Sequence, residues 1–145
     1  MVMTAANADA NVQTVVPFLS VADMKRSLPF YVDGLGFSMK RQWAVDGTIR
    51  WCWLKRGGAA IMLQQFSTEG HDAWIPQGKV GEGISLWFIC VDALAVYDEL
   101  RSREIDVSEP QVGNGMWVVT LTDPDGYRLN FESPTDSPEG TRFSI

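Results

Sequence analysis

Two stretches of this 145-residue chain superpose at an offset of 70 residues: V-P-F-L-S-V-A-D from Val16 and L-W-F-I-C-V-D-A from Leu86. Each reads as a strand that runs into a helix. Asp23 caps an apolar stripe of Met24, Leu28, Tyr31 and Val32, and Asp92 caps one of Ala93, Val96, Tyr97 and Leu100. Strand-like runs follow each helix, at 37–45, 48–55 and 59–66, then near 107–112, 116–122 and 127–132. A chain that spells β-α-β-β-β twice is held to an α+β architecture of two tandem βαβββ modules.

Turn chemistry divides the chain further. Asp46-Gly47 and Gly57-Gly58 are two-residue hairpin signals, and Asp123-Pro124-Asp125-Gly126 is a four-residue turn. After that turn Tyr127, Leu129 and Phe131 form an apolar face, and Arg128, Asn130 and Glu132 a polar one. With Asp123 facing Gly126, Trp117 is expected beside Glu132 and Val119 beside Asn130. Pro17 belongs at a sheet edge, Pro29 should kink the first helix, and Gly34 should cap it in the left-handed conformation. The expected layout is a flexible leader (1–11), a first module (12–66), a Gly-rich linker loop (67–83), a second module (84–132) and a surface tail (133–145).

Hydrophobic residues make up 46% of the chain and charged ones 21%, which describes a globular protein with a substantial core. A net charge of −6 with no basic stripe argues against nucleic acid and mildly favours cationic partners. No apolar run reaches the length of a membrane span, and the first residues lack the pattern of a secretion signal. Cys52 and Cys90 form no disulfide framework and read as small buried hydrophobes. A cytoplasmic location is expected.

The segment V-A-D-M-K-R-S-L-P-F-Y-V-D-G-L-G-F from Val21, taken with D-P-D-G-Y-R-L-N-F from Asp123, resembles the vicinal oxygen chelate superfamily. That group includes glyoxalase-type lyases, extradiol dioxygenases, fosfomycin-modifying enzymes and bleomycin-resistance proteins. The resemblance covers about 12–134, one such domain. It implies strands curled around a cleft with the helices packed outside. In members with metal chemistry it places ligands at positions that correspond here to Val16, Met62, Leu86 and Asn130. None of these is His, Glu or Asp, and the chain has one histidine. A catalytic zinc or iron centre takes about three such ligands plus an open position. No metal and no cofactor are therefore expected, as in the bleomycin-resistance branch, and the reading leans away from an enzyme.

Carrying the hairpin parity into that cleft sets Trp53 opposite Met62, Trp51 opposite Gln64 and Gln42 beside Trp51. The expected ligand-binding walls combine Gln42, Trp51, Trp53, Met62 and Gln64 with Phe18, Phe88, Trp117, Asn130 and Glu132. The other reading of the tryptophans is that they fill the core, and of Met62 that it is plain packing. His71-Asp72 is either a base with its orienting carboxylate or a solvated loop pair. Glu132 is a weak candidate acid or base, or else half of a strand-surface ion pair with Arg128. The favoured function is metal-free sequestration of a planar or cationic small molecule in an aromatic cleft, by a homodimer whose modules complete each other's clefts. The alternatives are a lyase, isomerase or dioxygenase of the same superfamily using non-standard ligands or metal-free acid–base chemistry at Glu132, and a scaffold that only dimerises.

Overall fold

The computed structural model describes residues 5–71 and 73–144. A short helix α1 (Ala5–Asn11) precedes the first sheet, where the sequence suggested only a flexible leader. The first module is β1 (Phe18–Val21), α2 (Met24–Leu28) with a π-helical continuation (Pro29–Gly34), then β2 (Ser38–Val45), β3 (Thr48–Arg56) and β4 (Ala59–Gln65). The second is β5 (Ser85–Ile89), α3 (Ala93–Ser102), β6 (Gln111–Gly113), β7 (Met116–Thr122) and β8 (Arg128–Pro134). Their sheets have the orders β1-β4-β3-β2 and β5-β8-β7-β6, each with one parallel pair, so the paired βαβββ topology is as the sequence pattern indicated. No helix among the described residues is long and apolar enough to cross a membrane.

Local chemistry accounts for the elements. The carboxylates of Asp23 and Asp92 accept hydrogen bonds from the N–H groups of Lys25 (3.0 Å) and Ala95 (3.1 Å), capping α2 and α3. Pro29 has no N–H to offer, and past it the chain widens into π-helical turns, closed by Leu35 N–H on Phe30 O at 2.9 Å. The left-handed residue after this helix is Gly36 (φ 77°), not Gly34 as expected. Gly34 is required for a different reason: a Cβ there would lie 2.6 Å from Ile105 Cδ1. Asp46 and Gly47 both have positive φ (50° and 80°), which makes the tight hairpin their sequence announced.

The expected surface tail instead folds back. Arg142 bridges to Gln111 on β6, and Phe143 sets its ring edge-on to Tyr97 and Trp117 at 6.1 Å from each. One core joins both modules, with Leu19, Leu54, Ile61 and Leu63 of the first sheet and Leu100, Val119, Leu129 and Phe131 of the second. Phe88 links the halves, stacked on Phe131 at 4.8 Å and edge-on to Phe37 at 5.9 Å.

The Asp123–Gly126 turn fastens this seam. Asp123 is 5% exposed, and its carboxylate accepts from Tyr31 O–H (2.8 Å), Asp125 N–H (2.9 Å) and Tyr127 N–H (2.8 Å). Burial pushes the Asp123 carboxyl above its ordinary range, against the pull of those three donors, and burial beside Asp123 pushes the Tyr31 phenol far up. Asp125 reaches the start of α2, accepting from Ala22 N–H (3.0 Å) and pairing with Arg26 (3.0 Å). Tyr127 O–H donates to Ser20 O at 2.9 Å. On the other flank Arg56 pairs with Glu99 at 2.8 Å, and Arg103 donates to Gly34 O at 2.9 Å.

Candidate functional site

With the helices and core on one side, each sheet is left with an outer face. On the first sheet strand alternation buries Leu19, Val21, Cys52, Leu54, Ile61 and Leu63, and turns their neighbours outward. The ladder places Phe18 beside Met62, Ser20 beside Gln64, Trp53 beside Met62 and Trp51 beside Gln64. Phe18, Trp51, Trp53, Met62 and Gln64, all expected in the cleft, therefore share this face. On the second sheet Asn130 pairs with Trp87, and Glu132 with Ile89 and Val118.

Four expected positions turn the other way. Gln42 pairs with Cys52 rather than Trp51, because a bulge at Arg50 adds a residue to β3 between the turn and this pair, and one at Lys40 on β2 restores the register beyond it. These bulges bring Arg41 and Trp43 onto the outer face instead, opposite Trp53 and Trp51. Trp117 pairs with Ser133 rather than Glu132, and Val119 with Phe131 rather than Asn130. The cause is a longer loop: Gly126 (φ 99°) is an extra residue and Asp123 N–H bonds Tyr127 O at 2.9 Å, which rotates β7 by one position. Trp117 thus lies on the helix side against Phe143. Leu86 and Phe88 pair with Leu129 and Phe131 on the core side.

The last two were displaced by the repeat offset. The two capping aspartates, Asp23 and Asp92, stand 69 residues apart, not 70, and at that spacing Phe18 corresponds to Trp87 and Val16 to Ser85. Trp87, 51% exposed, was the residue to find on β5, and the cap spacing was the signal for it. No local pattern announced the bulges that expose Arg41 and Trp43.

The outer face of the first sheet is rich in indole and carries positive charge. The Arg41 guanidinium lies over the Trp53 ring, 5.3 Å from its centroid. From the 67–83 loop His71 comes to 5.3 Å from the Trp43 ring; its sequence neighbour Asp72 lies outside the described residues, and with it the expected pair. Where the modules meet, a hollow of about 480 Å³ is bordered by Val16, Pro17, Trp53, Lys55, Trp87 and Phe88. A neighbouring one of about 530 Å³ lies between Phe37, Arg56, Trp87, Cys90 and Val96. The Cys52 thiol, fully buried, is pushed up to about 11 by desolvation, and burial raises Cys90 as well. Neither is an activated nucleophile.

The positions that the resemblance marks for a metal do not suit one. Val16 and Leu86 offer no donor atom, and at the corrected spacing Ser85 offers only a hydroxyl, which already accepts from Trp87 Nε1–H at 2.9 Å. Asn130 is engaged: its amide oxygen accepts from Thr120 O–H at 2.9 Å and its NH₂ donates to Leu86 O at 3.4 Å. Met62 adds a thioether. This donor set does not fit a catalytic zinc or iron. No three His, Cys, Asp or Glu side chains gather among the described residues.

Paired βαβββ modules with curved mixed sheets define the class of fold. The chain belongs to the Glyoxalase/Bleomycin resistance protein/Dioxygenase superfamily, whose family model matches residues 12–131. Among solved structures it is similar to TioX from Micromonospora sp. ML1, with TM-score 0.68, 19% identity, and 86% of this chain and 100% of that one covered. It is also similar to TnmS3, an antibiotic-binding protein from Streptomyces sp. CB03234, with TM-score 0.63, 22% identity and coverage of 84% and 97%. A third is a bleomycin-binding protein solved with bleomycin, with TM-score 0.64, 20% identity and coverage of 86% and 100%. At such identities the likeness is one of fold. No curated protein matches the sequence.

Proposed function

We propose that this protein binds a planar small molecule against the outer face of its first sheet and holds it stoichiometrically rather than turning it over. The observation that carries the reading is the placement of Trp43, Trp51 and Trp53 together on a face outside the core, with Phe18, Met62 and Gln64 beside them. Indoles supply flat apolar area for stacking, and an amide fixes orientation. The bleomycin-binding and antibiotic-binding relatives of the same fold make sequestration a natural use of such a face.

A second copy completes the cleft. Phe18, Trp87 and Ile89 are 49%, 51% and 72% exposed in one chain, and a partner's outer face would cover them. Asn130 and Glu132 would belong to the facing wall.

The test is a tryptophan-fluorescence screen of aromatic compounds, with light scattering at micromolar concentration and metal analysis after dialysis. Saturable one-to-one quenching by a dimer with no stoichiometric metal is expected. Stoichiometric zinc, iron or nickel, or turnover of a bound compound, overturns the reading.

A further inference from the structure

The expectation of a planar or cationic ligand drew on the aromatic walls and on the net charge of the whole chain, yet the first sheet's outer face carries positive charge. The strand ladders put Arg41 and Lys55 on that face beside Trp53, and none of the side chains they place there is acidic. Arg41 has no carboxylate partner among the described residues, and its contact is with the Trp53 ring. A guanidinium held over an indole by a cation–π contact spends no hydrogen bond on it, which leaves its N–H groups for a two-oxygen acceptor. The bulges at Arg50 and Lys40 bracket this arrangement, since between them β2 and β3 pair one residue out of the hairpin register, with Arg41 opposite Trp53. Lys55 adds a second cation at the rim of the hollow that Trp53 and Trp87 border.

From this juxtaposition we infer that the ligand is a planar aromatic anion, an aryl carboxylate or a close equivalent, its ring on the tryptophans and its charge on Arg41. The inference rests on the binding function proposed above. It makes Arg41 the residue that selects ligand charge, a role distinct from the stacking that gives affinity. Glu132, on the second sheet's outer face, makes no ion pair with Arg41 among the described residues.

Three probes with one ring system separate the two claims: 2-naphthoate, 2-naphthalenemethanol and 2-naphthylmethylammonium, each titrated by tryptophan quenching at neutral pH and low salt. Naphthoate should bind about tenfold tighter than the ammonium, as one charge-assisted contact implies. Arg41→Gln should abolish that preference while the neutral alcohol binds within about twofold of wild type, and Arg41→Lys should restore part of it. Equal binding of the three probes, tighter binding of the ammonium, or a preference that survives Arg41→Gln overturns the anion assignment and leaves the stacking cleft standing. Failure of all three to bind saturably overturns both. Arg41 is exposed, so unchanged melting temperatures of the variants exclude a folding effect.

Discussion

Tyr31→Phe removes a single hydroxyl from the seam and leaves the ring's packing intact. That hydroxyl donates at 2.8 Å to Asp123, a carboxylate 5% exposed that has two further donors, the N–H groups of Asp125 and Tyr127. A hydrogen bond to a buried charged group is worth about 2 kcal/mol, which corresponds to a fall in Tm of roughly 4–8 °C for a domain of this size. The penalty should depend on pH. Because burial raises the folded pKa of Asp123, its contribution to stability is full below the unfolded pKa and is lost as pH rises through the folded one. The Tyr31 bond opposes that loss by favouring the charged form, so its removal costs most at neutral pH. At about pH 3, below the ordinary range of an Asp carboxyl and so below its raised folded one, the carboxyl holds its proton and only a neutral hydrogen bond is forfeited, worth about 1 kcal/mol or less. Urea unfolding of both proteins at the two pH values measures the difference. A penalty equal at both, or no penalty at neutral pH, would refute the reasoning.

Gly34→Ala drives a methyl to 2.6 Å from Ile105 Cδ1 and should destabilise the protein by about 1–3 kcal/mol, with Ile105→Val in the same chain recovering part of it in chemical denaturation. Trp117→Ala, on the helix side against Phe143, should cost about 3 kcal/mol of stability without a direct effect on ligand quenching. Trp51→Ala on the outer face should do the reverse, changing stability by less than about 1 kcal/mol and weakening binding. With a thiol-reactive dye at mildly alkaline pH the native protein should label at Cys90 alone. Cys52, fully buried and pushed up to about 11, should label only on unfolding, as peptide mapping would show.

What the sequence made legible was whatever depends on local chemistry. Asp23 and Asp92 marked both helix starts, Asp46-Gly47 marked a tight hairpin, and alternation separated Leu129 and Phe131 from Asn130 and Glu132. Errors entered wherever one inserted residue decides which way a strand faces. The two bulges in β2–β3 exchanged Gln42 for Arg41 and Trp43, and the extra residue at Gly126 turned Trp117 inward. Such insertions are tertiary accommodations to twist and leave no pattern of their own. The faces of Leu86 and Phe88 were misjudged for a different reason, although both still border the hollow where the modules meet. The helix caps, 69 residues apart, already contradicted the offset of 70 that had been applied to the strands beside them. A total of −6 likewise leaves open the charge of any one face, such as that on which Arg41 and Lys55 stand beside Trp53.

The returning C-terminal segment and the β2 bulges have a consequence for aggregation. A sheet's outermost strand offers unpaired N–H and C=O groups that can recruit a foreign strand. On the second sheet that strand is β6, and the backbone of Thr141 and Phe143 already bonds along Pro110 and Val112 beside it. On the first sheet it is β2, whose regular hydrogen-bond spacing is broken twice, with Lys40 and Arg41 at one of the breaks. Two of the four open edges are thereby spoiled as templates for fibril growth, and β1 starts just after Pro17, which has no N–H to donate. The exposed aromatics Phe18, Trp43 and Trp87 themselves stand on edge strands β1, β2 and β5, so these devices act where an aromatic-rich edge would otherwise pair with a foreign strand.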